Sequence, residues 1–427
     1  MPNVPHEPPA PSRAVVPAPL PCAAPDCARP RLASYDGLPA AVRGVGAHPA
    51  TGAPVFCADC LHAYYRDPAR LAEVQTDAAL AAFDRDADAY VRWPFAAVDA
   101  VTGPLAPGSV HYVAAASGGG KTTFVTSAIA RWLDRGVRVD VLPLETEPWA
   151  WRVQMACTLA GVPPGLMLSG ELPIRAQGGD GIAAATCDRV RDVLRTMRRD
   201  AEASGLLAVH PDRRLTARRL RGLCAVAAKR GAQVVVVDHI DHVEADGQDG
   251  GRRADPFTES RQVNGAVLDA AKAHGLIVVA MSQLNAARFR GSRDRLAKYG
   301  PPQTPDLLMH TFKEHNAASI LGLFRPIAPW ADLDLLARAR AGDAEPGAVL
   351  ATGTMGVVAA KLRHRGESEG RRVYLALDGG AARDRTPDEV RAWESAEAGI
   401  GTGEAERGRA GARRLSPALG VVRGGAA

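Results

Sequence analysis

From about residue 93 onward, short apolar runs alternate with longer stretches in which apolar residues recur every three or four positions. The runs are Val110–Ala115, Val137–Leu142, Gln233–Val237, Leu276–Met281, Ser319–Phe324 and Val357–Lys361, with Arg372–Leu377 read as a last strand at a sheet edge. The helical stretches between them include Lys121–Leu133, Trp149–Leu159, Ala217–Lys229 and Phe257–Ala273. This alternation predicts an α/β core on a mostly parallel, twisted sheet. The four valines Val234–Val237 predict a strand covered on both faces. Ahead of the core, Leu71, Val74, Ala79, Ala82 and Phe83 recur at roughly helical spacing and predict a linker helix over 64–92. Residues 1–20 carry seven prolines and predict an extended, disordered leader. After Pro387 the chain turns Gly-, Ala- and Arg-rich, which predicts a flexible tail over 386–427. The expected layout is a leader (1–20), a small cysteine-bearing module (21–63), the linker helix (64–92), one large α/β domain (93–385) and the tail.

Composition narrows this little. A chain of 427 residues holds two or three domains, and 46% apolar with 23% charged residues excludes wholesale disorder. A net charge of +5 neither demands nor excludes a nucleic-acid partner. No apolar run approaches the roughly 18–20 residues of a membrane helix. The proline-rich start lacks the apolar segment of a signal peptide, so the default compartment is the cytoplasm. Of seven cysteines, four form the pairs Cys22-x4-Cys27 and Cys57-x2-Cys60. In a reducing compartment two close thiolate pairs point to a tetrahedral zinc site, a small zinc-ribbon-like module, with His62 as a substitute ligand. The alternative is free thiols in a loose leader. Cys157 and Cys224 fall in helical stretches and read as small buried residues; Cys187 is single too.

The most specific local signal is Ala115-Ala116-Ser117-Gly118-Gly119-Gly120-Lys121-Thr122, with Thr123 following. It leaves a predicted strand and opens a predicted helix, the setting of a Walker A loop. Consecutive glycines let backbone N–H groups close around phosphate oxygens, and the helix N-terminus adds partial positive charge. Lys121 reaches the β- and γ-phosphates, and the Thr122 hydroxyl is a ligand for Mg²⁺. The ATP and Mg²⁺ set is therefore Ser117, Gly118, Gly119, Gly120, Lys121, Thr122 and Thr123, together with Asp238. That acid closes the four-valine strand, where a carboxylate suits a Walker B role; capping is the plainer alternative. Glu145 follows another strand and reads equally as general base or as a helix-start glutamate. Gln283 ends Met281-Ser282-Gln283, placed to bond a γ-phosphate or simply to open a loop. The loop after it carries Arg288, Arg290, Arg293, Arg295 and Lys298 against Asp294 alone. Such a loop either follows a phosphate backbone or is a mobile surface.

Together these segments resemble the RecA-like ATPase domain of DnaB-type replicative helicases. The resemblance begins at Trp93-Pro94-Phe95-Ala96-Ala97-Val98-Asp99 and Gly103-Pro104-Leu105-Ala106-Pro107-Gly108. It continues through the Walker A stretch, Leu144-Glu145, Gly161-Val162-Pro163, Val237-Asp238 and Ser282-Gln283-Leu284-Asn285. It closes with Ala360-Lys361-Leu362-Arg363 and Leu377-Asp378-Gly379. It implies a RecA-like P-loop core and an ATP-dependent DNA helicase or translocase, acting on single-stranded DNA in replication. It also implies a homo-oligomeric ring, usually a hexamer, and primase or initiator proteins as partners. By carry-over Glu145 is the catalytic base, Asp238 the Walker B acid and Gln283 the phosphate sensor. Lys361 and Arg363 reach the neighbouring subunit's site, Arg363 as an arginine finger; without the resemblance they read as a solvated strand end. The chain departs from the family in having the cysteine module where a helical collar is usual and His239 where an aromatic is usual. Leu307–His315 is a poor match to the family's segment there. Two further readings stand beside the helicase: a RadA-like recombination ATPase, whose Lys-Asn-Arg-Phe-Gly motif this chain lacks, and a nucleotide-switched DNA-binding loader or regulator that does not unwind.

Overall fold

The computed structural model describes residues 90–212, 214–246, 255–284, 301–307, 310–328, 331, 334–335, 338 and 351–401. Cys22, Cys27, Cys57 and Cys60 lie outside the described residues, as do Arg288, Arg290, Arg293, Arg295 and Lys298.

Nine strands form one sheet in the order β11-β10-β9-β8-β1-β7-β5-β2-β3. They are β1 (Val110–Ala115), β2 (Val139–Pro143), β3 (Leu207–Val209), β5 (Val234–Asp238), β7 (Ile277–Gln283), β8 (Ser319–Phe324), β9 (Thr354–Leu362), β10 (Arg372–Asp378) and β11 (Ala381–Arg383). The short strands β4 (Leu215–Thr216) and β6 (Val243–Glu244) pair separately. From β8 to β3 every pairing is parallel; β9, β10 and β11 continue the sheet antiparallel. The strand leading into the glycine loop, β1, lies inside the sheet between β8 and β7.

The unbroken apolar runs follow from burial on both faces. Along β5, Val234 and Val236 point into one core with Val113, Val141 and Val279. Val235 and Val237 point into the other with Tyr112, Leu142 and Val278. Helices α2 (Lys121–Asp134), α3 (Pro148–Ala160) and α6 (Gly181–Thr196) supply Phe124, Trp132, Trp151 and Val190 to the first core. Helices α7 (Ala217–Lys229) and α8 (Pro256–His274) supply Leu220, Leu223, Val263 and Val267 to the second. The segment Trp93–Val98, leading into α1 (Ala96–Thr102), is fastened to α2 by aromatic packing. Trp93 lies 5.3 Å from Phe124 and 5.5 Å from Trp132, and the Trp132 indole N–H donates to the Arg92 carbonyl at 2.7 Å.

Two motif pieces distant in sequence meet at the end of α3. Gly161 closes it with φ +65°, and the β10–β11 turn packs so closely that a Cβ on Gly379 would strike the Gly161 backbone. Between α3 and β3 lie α4 (Pro164–Leu168), α5 (Glu171–Gln177) and α6, none anticipated from the apolar pattern. The helix α9 (His310–Asn316) was also unanticipated.

Two expectations need correction. Arg372–Asp378 is not the edge strand, because Leu377 and Ala376 pair outward with Ala382 and Arg383 of β11. The segment expected to be a flexible tail from residue 386 opens with a helix, α10 (Pro387–Gly401). Thr386 and Glu389 form a reciprocal capping box: the Thr386 N–H donates to Glu389 Oε2 at 2.8 Å, and the Glu389 N–H to Thr386 Oγ1 at 3.3 Å. Trp393 is buried with its ring centroid 4.9 Å from that of Tyr374, which anchors the helix to β10.

Candidate functional site

The parallel strands deliver their last residues to one edge of the sheet. Ala115 pairs in register with Gln283, and Pro143 with Asp238. The glycine loop, Glu145, Asp238 and Gln283 therefore emerge together at the carboxyl edge, where α/β sheets bind ligands.

The loop closes by steric necessity. Gly118 and Gly120 have φ of +73° and +97°, conformations that side-chain-bearing residues rarely adopt. Gly119 has ordinary backbone angles, but a Cβ there would sit 2.7 Å from Ala115 Cβ and 2.9 Å from the Ala116 carbonyl oxygen. A Cβ on Gly120 would meet Met355 Cε of β9 at 2.5 Å. Gly120 is also the N-cap of α2 and supplies no side-chain acceptor, so the first N–H groups of the helix stay open to an anion. Lys121 lies partly buried with its ammonium donating to the Ala115 carbonyl at 3.3 Å. Ser117 is half-buried at the mouth of the loop, and Thr122 and Thr123 are half-buried on the first turn of α2.

Asp238 is buried, and its Oδ1 has no hydrogen-bond partner among the described residues. Burial and the charge of Glu145 push its carboxyl up to about 6, against the opposing influence of His239 and Lys121. Burial lowers the Lys121 ammonium, against the charges of Glu145, Asp238 and Asp241. Glu145 hangs from the same strand end: its N–H donates to the Asp238 carbonyl at 3.1 Å, and the Leu144 N–H donates there as well. Its side chain is exposed. An orphaned carboxylate oxygen, an uncapped helix start and a cradle closed to any Cβ fit a Mg²⁺-nucleotide, with Thr122 and Asp238 as the residues that would hold the metal.

Behind Asp238 lies a cluster that no sequence motif indicated. Asp241 sits in the 3₁₀ turn Ile240–His242 and accepts from the Gln283 N–H at 3.0 Å and the Ser282 hydroxyl at 3.1 Å. The ammonium of Lys313, on α9, contacts Asp241 Oδ1 and donates to Ser282 Oγ at 2.8 Å. His239 Nδ1 lies 3.1 Å from Asp241 Oδ2. Burial alone would raise the Asp241 carboxyl; the His239 ring, the Lys313 ammonium and the Gln283 N–H outweigh it and hold the group well below the usual carboxylate range. The only sequence signal was a second acid three residues past Asp238. Nothing local marked Lys313, which is 1% exposed. The Gln283 side chain itself is exposed at the edge.

Lys361 and Arg363, near the end of β9, bind the last carbonyls of α9. Lys361 Nζ donates to the Glu314 oxygen and Arg363 Nη2 to the His315 oxygen. Both are cations at a helix C-terminus, favoured there by the macrodipole. Cys157, Cys187 and Cys224 are buried on helices as free thiols. No group of three or more His, Cys, Asp or Glu side chains suited to a metal occurs among the described residues. Nor is any described helix long and apolar enough to cross a membrane.

No protein-family model matches the sequence, and no curated protein matches it. Solved structures do match the fold. A helicase ATPase domain solved by itself is 17% identical, with 69% of this chain and 91% of that one aligned at a TM-score of 0.53. A DnaB-like replicative helicase, studied for its interactions with primase, is 15% identical over 77% of this chain and 74% of that one, at a TM-score of 0.55. The RadB recombinase aligns at 14% identity and a TM-score of 0.39, which carries no weight. The described core thus has the RecA-like P-loop fold of DnaB-like helicase ATPase domains; at these identities the likeness is one of fold.

Proposed function

We propose that this chain is an ATP hydrolase of the DnaB-like helicase class that acts on single-stranded DNA. One observation carries the reading: an uncapped glycine cradle, Lys121, an orphaned buried carboxylate and an exposed glutamate converge on one sheet edge. In this reading Ser117–Gly120 and the start of α2 hold the phosphates through backbone N–H groups, and Lys121 neutralises the β- and γ-oxygens. Mg²⁺ bound by Thr122 and Asp238 supplies charge neutralisation between the phosphates. Glu145, exposed at the strand end, takes the proton of the attacking water, and Gln283 bonds the γ-phosphate or that water.

The DnaB-like likeness supports further parts of the proposal. A ring, six-membered in the usual case, places Arg363 and Lys361 against a neighbour's nucleotide, where a trans arginine offsets charge on the transferred phosphoryl group. Arg288, Arg290, Arg293, Arg295 and Lys298 follow a single strand, and primase or initiator proteins are the partners of a replicative role. Cys22, Cys27, Cys57 and Cys60 hold one zinc on the strength of their spacing, a point that metal analysis of protein purified without chelator decides.

The test compares ATP turnover, its stimulation by single-stranded DNA, and unwinding of a forked duplex. Glu145→Gln is expected to bind ATP normally while turnover falls by about two to four orders of magnitude, as for a lost general base. Parental turnover in that variant would refute the assignment. DNA-stimulated turnover without unwinding would favour the loader or regulator over the motor.

A further inference from the structure

Within one chain, the groups facing the nucleotide edge and the groups expected to face a neighbouring subunit are joined through a single short helix. On one side, Asp241 accepts the Gln283 N–H at 3.0 Å and so fixes the backbone of the residue at the γ-phosphate edge. Lys313, buried on α9, joins Asp241 and Ser282. On the other side, the two residues that follow Lys313 along α9, Glu314 and His315, present their carbonyls to Lys361 and Arg363. The path from Gln283 through Asp241, Lys313 and α9 to Arg363 consists of hydrogen bonds, one ion pair and helical backbone. A lysine so buried is stable only with its partner, so α9 cannot shift along its axis without either breaking that pair or carrying Asp241 with it.

We propose that Lys313 and Asp241 are positioning residues that make Gln283 and the pair Lys361/Arg363 move as one body. The state of a chain's own γ-phosphate would thereby set how that chain presents its cations to the next site. The inference rests on the roles of Gln283 and Arg363 given above. Neither Lys313 nor Asp241 touches the nucleotide. Removing them would spare nucleotide affinity and change the rate at which bound ATP is cleaved. The groups packed around the pair are Ser282 and the Gln283 backbone from β7 and His239 from the turn after β5. A neutral replacement of both charges therefore leaves neither member of the pair as a lone buried ion.

The experiment is a mutant cycle in the full-length chain. One axis replaces both charges, Asp241→Asn with Lys313→Met; the other is Arg363→Ala. The double neutral protein is expected to melt cooperatively, to bind ATP within about threefold of the parent and to lose at least about tenfold in kcat. If the link exists, Arg363→Ala slows the parent strongly but slows the neutral background by less than about threefold, because Arg363 is already uncoupled there. If the pair only supports the fold, the two losses multiply, which overturns the coupling and leaves the assignment of Arg363 standing. If Arg363→Ala has no effect on the parent, both that assignment and the coupling fall. Should the neutral protein fail to melt cooperatively, Ser282→Ala carries the same cycle. It removes one hydroxyl from the network without unpairing a charge, with an expected coupling of about threefold; strict multiplication there would again overturn the link.

Discussion

Replacing each of the three loop glycines by alanine separates the reasons why glycine stands there. Gly118 has φ +73° and nothing within 4 Å of the position a Cβ would take, so Gly118→Ala meets only the left-handed backbone penalty, about 1–2 kcal/mol. Gly119→Ala meets no such penalty, but its Cβ falls 2.7 Å from Ala115 Cβ and 2.9 Å from the Ala116 oxygen. Both obstacles are fixed to the β1 end, so the loop itself must move, an overpacking loss of about 1–3 kcal/mol. Gly120→Ala meets the penalty at φ +97° and also Met355 Cε at 2.5 Å. The flexible methionine tip can swing aside, so the sum is about 2–3 kcal/mol. Urea unfolding of the nucleotide-free proteins reads these losses, and titration with a fluorescent ATP analogue reads the loop. The displaced backbone of Gly119→Ala is expected to weaken ATP at least about tenfold, because the N–H groups no longer converge. A Gly118→Ala protein destabilised as much as Gly120→Ala, or a Gly119→Ala protein that binds ATP like the parent, would refute the steric account of the cradle.

Other outcomes follow from the same geometry. Lys121→Ala should abolish turnover and weaken ATP. Mixed with Arg363→Ala in rings that exchange subunits, it should recover part of the activity, and no recovery at any ratio counts against a trans arginine. Asp238, raised to about 6 when nucleotide is absent, must lose its proton to hold Mg²⁺. Affinity for Mg²⁺·ATP should therefore fall about tenfold per pH unit below about 6, more steeply than in Asp238→Asn, where only the nucleotide titrates; equal slopes would disprove this. His111, buried between Ser109 and Ser319, is lowered to about 4 by burial. The unfolded chain takes up that proton first, so stability is complete above about pH 6.5 and declines towards pH 4 by up to about 3 kcal/mol; His111→Gln should flatten the decline in urea midpoints. Alanine at Arg288, Arg290, Arg293 and Arg295 should leave basal ATPase near parental and lower the salt slope of single-strand binding by about 0.7 per lost phosphate contact, and an unchanged slope rules out that loop as the track.

Much of this molecule is legible in its sequence alone, because the relevant physics is local. A parallel strand buried on both faces must be a continuous apolar run, so β1, β5, β7 and β8 stand out, and Asp238 and Gln283 are found by following those runs to their ends. The glycine cradle is legible because a chain wrapped closely around phosphate admits no side chain. Even the helix α10 carries a local signal, the Thr386–Glu389 capping box, which the Gly- and Arg-rich composition beyond it conceals. Other features have no local signature. α5 and α6 pack largely on other helices, and the edge strand β11 is only three residues long. The Asp241–Lys313 pair joins residues 72 positions apart. A lysine in a seven-residue helix reads from sequence as a solvated charge. Only the approach of α9 to the turn after β5 removes it from water and supplies the carboxylate that makes its burial tolerable.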